Sequence, residues 1–163
     1  MLKPLRVAAR LPAQDLDRAR AWYRDKLGLE PAEERPGGLR YLVGGCEFVL
    51  FQSTGASDGS FTQIAFEVAD MAATATALKA RGVRFEEYDL PGLRTEDGIA
   101  TIEGQYPSKG TGERGGWFRD SEGNLIGVGE VIWERPKSRI SALSPESRNC
   151  GIPQTHCSWR TEQ

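Results

Sequence analysis

The sequence predicts an α+β fold in which two tandem βαβββ modules form a curved mixed sheet, a half-barrel, around a cleft. A strand-like run leads into an amphipathic helix at residues 5–29, and the same pattern recurs at 61–83 with equivalent positions 55 residues apart. A strand–turn–strand pattern closes each half, at 38–52 and at 116–130. Because internal repeats indicate duplicated units that bury a common core, paired modules of this kind are expected to enclose a cleft.

The repeat predicts one domain at residues 1–133, with modules of about 1–54 and 60–133. The remaining segment, 134–163, has no sustained periodicity, so we expect a mostly disordered tail. The only histidine of the chain, His156, lies in that tail. A mechanism that needs a histidine base or ligand in the folded body is therefore excluded, unless the tail folds back.

The composition is that of a globular chain that can bury a core without disulfides or structural metal. Hydrophobic residues make up 39% and charged residues 27% of the 163 residues, and the net charge is −2. That charge, with no basic stripe, predicts no nucleic-acid partner. No apolar run approaches the ~20 residues of a membrane span, and we read no signal peptide. Three cysteines at no metal-like spacing favour reduced thiols and a cytoplasmic location.

The first module begins with a strand at 5–11, where alternate residues share a face. Asp15 is a natural N-cap for a helix at about 16–27, and Gly28 is suited to end it. A short edge strand is expected at 29–34. A hairpin on a Gly-Gly turn completes the module, with strands at 38–43 and 47–52.

The second module repeats this order after a polar linker at 53–60. A strand is predicted at 61–68, followed by a helix that Asp70 caps and Gly82 stops. The largest departure from the repeat is a Gly-rich loop at 104–116, which we interpret as a flexible lid. The other predicted strands lie at 83–90, around 99–103, and in a final hairpin at 117–120 and 124–131.

Three motifs resemble those of the vicinal oxygen chelate superfamily, which includes glyoxalase I, bleomycin-resistance proteins and extradiol dioxygenases. QDLDRARAWYRDKLGL at 14–29 is similar to the family's D-L-x-x-(S/A)-x-x-F-Y-x-x-x-L-G-L opening. QIAFEVAD at 63–70 is similar to the start of the second module, and WFRDSEGNLIGVGE at 117–130 to the closing F-x-D-P-x-G-N-x-(I/L)-E-L. The resemblance covers residue 5 to about 132 and implies paired βαβββ modules around a cleft.

The resemblance also implies where a metal would be held. The ligand positions of the metal-dependent members fall on Ala8, Leu50, Gln63 and Gly127 of this sequence. Ala, Leu and Gly have no ligating side chain, and Gln63 offers one weak, neutral oxygen. Because a transition metal needs three or four N, O or S ligands from the protein, we expect no metal and no cofactor.

Side-chain alternation predicts what surrounds this vacated position. The residues expected to bind a ligand form an aromatic and aliphatic floor with polar groups around it, as in most small-molecule pockets: Arg10, Arg40, Phe48, Leu50, Gln52, Gln63, Trp117 and Gly127. Trp117 is expected opposite Gly127 across the final hairpin. Two alternatives stay open, since Trp117 could pack as core and Arg10 could form an internal ion pair with Glu67.

Three functions fit these residues. The first is a metal-free protein that binds or sequesters a small molecule, and the two arginines favour a neutral or anionic aromatic ligand over the cationic drugs of bleomycin-resistance proteins. The second is a lyase, isomerase or dioxygenase-type enzyme that uses a non-standard metal site or a carboxylate base, with Glu67 or Glu103 as candidates. The third is a dimerisation subunit with a filled cleft. A homodimer is expected in each case, and whether catalysis occurs stays open.

Overall fold

The structure is a computed structural model that describes residues 3–104 and 110–133. The elements of the first module are β1 (Ala9–Ala13), α1 (Leu16–Trp22), β2 (Glu33–Arg35), β3 (Gly38–Val43) and β4 (Cys46–Gln52). Those of the second are β5 (Thr62–Glu67), α2 (Met71–Ala80), β6 (Asp89–Leu90), β7 (Leu93–Arg94), β8 (Ala100–Glu103), β9 (Gly112–Arg119) and β10 (Leu125–Ile132). Neither helix has the length and apolar character needed to cross a membrane within these residues.

The duplication predicted from the sequence is confirmed by the topology. One four-stranded sheet has the order β1-β4-β3-β2 and the other the order β5-β10-β9-β8. In each sheet the first strand of the module pairs parallel with the last, and the other pairings are antiparallel. The second module differs by a small additional hairpin, β6–β7. The chain therefore has an α+β fold with two βαβββ-like modules, each a four-stranded mixed sheet.

Both helices begin at the predicted caps. The Asp15 side chain accepts a hydrogen bond of 2.9 Å from the backbone N–H of Arg18, and Asp70 accepts one of 2.8 Å from that of Ala73. One π-helical turn, Tyr23–Leu27, continues α1, and Gly28 then ends it with φ 71°. This left-handed conformation explains the glycine, because a side chain would disfavour it.

The core is one hydrophobic cluster to which both modules contribute. Tyr23 from the end of α1 is fully buried and packs its ring against those of Tyr41 and Phe48, with centroids 5.3 and 5.7 Å away. The neighbouring Trp22 lies 6.1 Å from Phe118 of β9, in the other module. One helix thus contacts both sheets, which holds the modules together through buried aromatic area.

The turn between β9 and β10 joins the second module to the start of α1. The Glu122 carboxylate accepts hydrogen bonds from the backbone N–H of Gln14 at 2.8 Å and from Arg18 Nε at 2.8 Å. Asn124 Nδ2 donates to the carbonyl of Pro12 at 3.0 Å. Tyr23 Oη donates to Asp120 Oδ2 at 3.0 Å. These four bonds fix the position of the turn, which we name the inter-module latch (residues 120–124), against the first module.

Burial and hydrogen bonding act in opposite directions on the two carboxyls of the latch. Burial raises the pKa of Asp120, although hydrogen bonds from Asn124 and Tyr23 oppose the change. Burial also acts on Glu122, but there hydrogen bonds from Arg18 and from neighbouring groups outweigh it and the pKa is lowered. The pKa of the Tyr23 phenol is raised well above its usual value by burial and by the adjacent Asp120.

Four predicted elements differ from the structure, and one of them is the edge strand expected at 29–34, which is β2 at Glu33–Arg35. The first strand was expected at 5–11, but β1 begins only at Ala9, and the preceding Leu5 and Val7 are exposed. The segment 83–90 forms only the short β6 and an isolated bridge from Phe85 to Phe118. Residues 112–116 of the expected lid belong to β9. Residues 105–109 of that loop, and the tail at 134–163, lie outside the described residues.

Candidate functional site

A pocket of about 660 Å³ lies where the two modules meet. It opens because β1 begins at Ala9 and pairs with β4 only from Phe48 onwards, so the first residues of β4 have no neighbour on that side. The edge strand β5 of the second module forms the opposite wall. We call this cavity the inter-module pocket. Eleven residues line it: Ala9, Val43, Gly44, Cys46, Glu47, Phe48, Gln63, Ile64, Ala65, Phe66 and Glu67.

Apolar side chains dominate one wall of the inter-module pocket. The rings of Phe48 and Phe66 meet edge to face with centroids 6.0 Å apart, which joins the first module to the second. Phe48 is held in turn by Tyr41, whose ring stacks on it at 4.8 Å. Val43 and Ile64, both half-buried, extend this surface. A wall fixed by aromatic packing costs little to order when a ligand binds.

Three polar side chains lie on the same lining. Gln63 Oε1 accepts a hydrogen bond of 2.8 Å from Ser57 Oγ, and its amide N–H groups have no partner within residues 3–104 and 110–133. Glu47 is paired with Arg6 at 3.2 Å and with Arg40 at 3.4 Å. Glu67 is exposed and forms no ion pair in the described part of the chain. The pocket therefore offers hydrogen-bond donors at Gln63 and negative charge at Glu67.

The two predicted arginines lie elsewhere. Arg10 and Arg40 line a shallower pocket of about 220 Å³ together with Glu33 and Arg35, on the face of the first sheet that carries no helix. Among the described residues Arg10 has no ion-pair partner, so the internal pair with Glu67 considered above does not form. Arg10 therefore supplies no positive charge to the inter-module pocket, and Arg40 contacts its lining only through the ion pair with Glu47 at 3.4 Å.

Arg10 was expected to surround one ligand together with Phe48, Leu50 and Gln52, but it lies on the opposite face of the first sheet from these three residues. Arg10 pairs with Val49, so the face of the sheet that carries Arg10 also carries Val49 and Phe51 of β4. Phe48, Leu50 and Gln52 alternate with these residues and lie on the other face. Leu50 has 0% exposure because it lies in the core beneath α1. Gln52 donates to the carbonyl of Gln14 at 2.7 Å and lines a separate pocket of about 510 Å³ near the start of α1.

The predicted pairing of Trp117 with Gly127 is confirmed. The two residues are direct partners between β9 and β10, on the helix-free face of the second sheet. The position is crowded, since a Cβ on Gly127 would lie only 3.2 Å from Ala65 Cβ and from Thr62 Cγ2, and 3.6 Å from Trp117 Nε1. The Trp117 ring is half-buried and meets Tyr88 edge to face at 5.5 Å. Neither Trp117 nor Gly127 lines the inter-module pocket.

The two carboxylates proposed as bases are separated. Glu67 lines the inter-module pocket, whereas Glu103 is the exposed last residue of β8 and does not. Seven further side chains of the lining were not among the residues expected from the sequence: Ala9, Val43, Cys46, Glu47, Ile64, Ala65 and Phe66. The edge position of β5 could have indicated that Ile64 and Phe66 lie beside an open side of the sheet, because an edge strand has a neighbour on one side only.

The family's metal positions do not fit a metal ion. Leu50 is buried in the core and points away from the cleft face. Val49 pairs with Arg10 in the first module, and Gly127 pairs with Ala65, the repeat equivalent of Arg10, in the second. Val49 is therefore the counterpart of Gly127. Aliphatic side chains and glycine supply no ligand, and the Gln63 oxygen already accepts a hydrogen bond. No group of three or more His, Cys, Asp or Glu side chains is arranged to hold a metal within residues 3–104 and 110–133. This donor set falls short of the three or four ligands that a transition metal needs.

Comparison with known proteins agrees with the fold. The family model described as Glyoxalase/Bleomycin resistance protein/Dioxygenase superfamily matches residues 5–128. No curated protein sequence matches the chain. Among solved structures, the glyoxalase/bleomycin resistance protein/dioxygenase of Alicyclobacillus acidocaldarius is 19% identical with a TM-score of 0.58, covering 80% of this chain and 95% of its own.

Two further solved structures carry names that describe an activity. The lactoylglutathione lyase of Agrobacterium tumefaciens is 25% identical with a TM-score of 0.52, covering 78% of this chain and 95% of its own. The genomically encoded fosfomycin resistance protein of Listeria monocytogenes is 17% identical with a TM-score of 0.55, covering 80% of this chain and 94% of its own. At these identities the likeness concerns the fold, because one fold supports many chemistries.

Proposed function

Because the chain belongs to the glyoxalase/bleomycin resistance protein/dioxygenase superfamily, we propose that it binds a small, largely apolar molecule in the inter-module pocket without a metal ion. The observation that carries the proposal is the pocket itself, about 660 Å³ in volume and lined by side chains of both modules. Ligand sites of this size are usually apolar, with a few polar groups that orient the ligand. Binding or sequestration needs no reacting group; the lining contains the Cys46 thiol, the Glu47 carboxylate, which is paired with two arginines, and the exposed Glu67 carboxylate.

The lining supports an aromatic ligand and does not support an anionic one. Phe48 and Phe66 provide ring surfaces, and Gln63 provides free amide donors for a carbonyl or hydroxyl oxygen. Glu67 would repel an anion at close range, and the two arginines that contact the lining, Arg6 and Arg40, are both already paired with Glu47. A neutral or cationic aromatic molecule is therefore the ligand class that this surface favours.

Catalysis is the second candidate, and the position of Glu67 is the observation that favours it. A carboxylate on the lining could move a proton of a bound molecule, and the similar lactoylglutathione lyase carries the name of an enzyme. Glu67 is exposed, however, whereas carboxylate bases are usually shielded from water so that the protonated and charged forms are balanced. This exposure favours binding over base catalysis.

A homodimer remains part of the proposal. Leu5, Val7 and Phe61 are large apolar side chains that the single chain leaves exposed, and β5 presents an unpaired edge. Burial of such groups against a second copy would remove them from water. Light scattering after size-exclusion chromatography measures the mass: a dimer supports this part of the proposal, and a monomer at all concentrations contradicts it.

The test of binding uses three probes of similar size and different charge: indole, benzylamine and benzoate. Each probe is titrated into the protein in the presence of EDTA, and its effect on stability is measured by thermal unfolding. The free energy of unfolding should rise by about 2.7 kcal/mol when the probe concentration is 100 times Kd. Val43→Trp fills the pocket and should abolish the effect. Leu42→Trp is the matched control, because Leu42 is the adjacent, exposed residue and does not line the pocket.

The result expected is stabilisation by indole or benzylamine in the wild type and in Leu42→Trp, and none in Val43→Trp. No stabilisation by any probe would contradict the proposal, and so would equal responses of the two tryptophan variants. Stabilisation by benzoate alone would show that the charge argument is wrong. Turnover of a probe that is lost in Glu67→Gln would establish the enzyme alternative.

A further inference from the structure

We propose that Ser57, in the linker before β5, sets the ligand preference of the inter-module pocket. Its hydroxyl holds the Gln63 amide so that the amide N–H groups face the cavity, and the pocket then selects a neutral aromatic molecule that carries a hydrogen-bond acceptor. Ser57 is a positioning residue, since it acts through Gln63 and does not itself line the pocket. This preference rests on the proposed function, because it concerns the ligand of the same pocket.

The linker that carries Ser57 is fixed against the second sheet. Arg119 of β9 donates to the carbonyls of Asp58 and Gly59, each at 3.2 Å. Its Nε donates to the Glu86 carboxylate at 3.0 Å, so the guanidinium is itself held in place. Gly59 is buried with φ 63°, and a Cβ at this position would clash with the Arg119 guanidinium. Glycine permits this close approach, which holds the linker in one conformation beside the start of β5.

The hydrogen bonds of Ser57 fix the direction of its hydroxyl. The backbone N–H of Gly59 donates to Ser57 Oγ at 3.1 Å, and Ser57 Oγ donates to Gln63 Oε1 at 2.8 Å. A serine hydroxyl has one donor and two acceptor sites, so the Gly59 N–H takes an acceptor site and leaves the proton for Gln63. Ser57 Oγ donates to no other acceptor within residues 3–104 and 110–133, so reversal of the Gln63 amide would leave this proton unpaired.

The Gln63 amide consequently presents donors to the cavity. Its oxygen is engaged by Ser57, whereas its Nε2 donates to no group of the described residues, and Gln63 lines the pocket. Reversal of the amide would lose one hydrogen bond, which disfavours the reversed form about fivefold. At this point of the lining the pocket therefore offers the two N–H donors of a primary amide and no acceptor from the same side chain.

An aromatic ring with an acceptor atom matches these donors. A ring nitrogen or carbonyl oxygen that accepts from Gln63 Nε2 replaces the water that it loses on entering the pocket, while the rings of Phe48 and Phe66 contact its face. A ring that carries only a donor leaves its own N–H and those of Gln63 unpaired. Glu67 offers that donor little, because an exposed carboxylate stays hydrated. We expect an acceptor-only ring to bind about tenfold more tightly than a donor-only ring of similar size.

The test is calorimetric titration with quinoline and indole in neutral buffer that contains EDTA. Both are uncharged bicyclic aromatics of similar size, but the quinoline nitrogen accepts a hydrogen bond and the indole N–H donates one. The wild type should bind quinoline about tenfold more tightly than indole, and Gln63→Leu should bind the two about equally. Ser57→Ala should lose most of this ratio, whereas Ser57→Thr, which keeps the hydroxyl, should retain it. Ser60→Ala is the matched control, since the Ser60 hydroxyl bonds to Asp58 and not to Gln63.

Equal affinities of quinoline and indole in the wild type would overturn the preference and leave the proposed binding function standing. Equal weakening of both ligands in Ser57→Ala, with the ratio kept, would also overturn it, because a purely structural role of Ser57 has this effect. Binding of neither ligand contradicts the proposed function and the preference together. A measurement without ligand checks the hydrogen bond itself: the ¹³Cδ resonance of Gln63 should shift in Ser57→Ala and not in Ser60→Ala, and an unchanged resonance in Ser57→Ala contradicts the role of Ser57.

Discussion

Removal of the Glu122 carboxylate should loosen the contact between the modules. The side chain is 1% exposed and accepts hydrogen bonds from both Arg18 and the backbone N–H of Gln14, so Glu122→Ala leaves these donors without an acceptor. Breaking a buried ion pair from one side costs about 3–5 kcal/mol, and we expect the lower end because Arg18 is half-exposed and can be rehydrated. For a chain of this size about 3 kcal/mol corresponds to a fall in Tm of about 10 °C.

The assay is equilibrium unfolding in urea, with Asp25→Ala as control. Asp25 forms an ion pair of 2.8 Å with Arg24, but both side chains are more than half exposed, so its loss should change stability by less than about 0.5 kcal/mol. Glu122→Gln keeps an oxygen acceptor for the backbone and should cost less than Glu122→Ala. If Glu122→Ala and Asp25→Ala have the same stability, the latch does not hold the modules together and the reasoning is refuted.

The pH dependence of the same variants gives an independent check. The pKa of Glu122 is lowered in the folded state, so its stabilisation is fully present above the ordinary glutamate pKa of about 4.3. It is lost as the pH falls through the lower folded-state value. The difference in unfolding free energy between wild type and Glu122→Gln should therefore narrow in acid, and a difference that widens below pH 4 would contradict the assignment.

Three further outcomes are expected. Gly98→Ala should lower the free energy of unfolding in urea by about 2 kcal/mol, because φ is 77° and the new Cβ would clash with Phe85 Cβ. Gly92→Ala is the control, since φ is 82° but the space is open, and it should cost only about 1 kcal/mol. Equal costs for the two variants would refute the role of the Phe85 contact. Burial raises the pKa of Asp120, so the contribution of this group to stability falls as the pH rises above about 3.9. The unfolding midpoint of the wild type should therefore decline between pH 3.5 and 7 by an amount that is absent in Asp120→Asn. The same pH dependence in both proteins would contradict the raised pKa. Burial raises the pKa of Tyr41 to about 12, so the absorbance change of a tyrosine lost in Tyr41→Phe should occur near pH 12, and titration near pH 10 would contradict this.

Local signals predicted the elements of this fold well. Asp15 and Asp70 cap their helices, and Gly28 adopts the left-handed conformation at which its helix ends. Each of these features depends on a few neighbouring residues, so it can be read from a short window of sequence. The hairpin strand Gly38–Val43 was predicted with the bounds that the structure shows, since a Gly-Gly turn fixes its register.

The candidate site was predicted less well because it depends on register between distant strands. The pairing of Arg10 with Val49 places Phe48 and Leu50 on the face opposite to Arg10. No local sequence pattern predicts this pairing, because the two strands are far apart in the chain. A change of one residue in register moves every side chain to the opposite face. The inter-module pocket likewise exists because β1 begins at Ala9, whereas alternation in the sequence extends the strand to residue 5.

The central claim is that the inter-module pocket binds a small molecule without a metal. Its most direct test is calorimetric titration of the EDTA-treated protein with the best of the three aromatic probes, repeated after addition of Zn²⁺ or Ni²⁺. We expect one probe per chain, an unchanged Kd when metal is added, and no binding to Val43→Trp. Binding that appears only after a metal is added would contradict the claim.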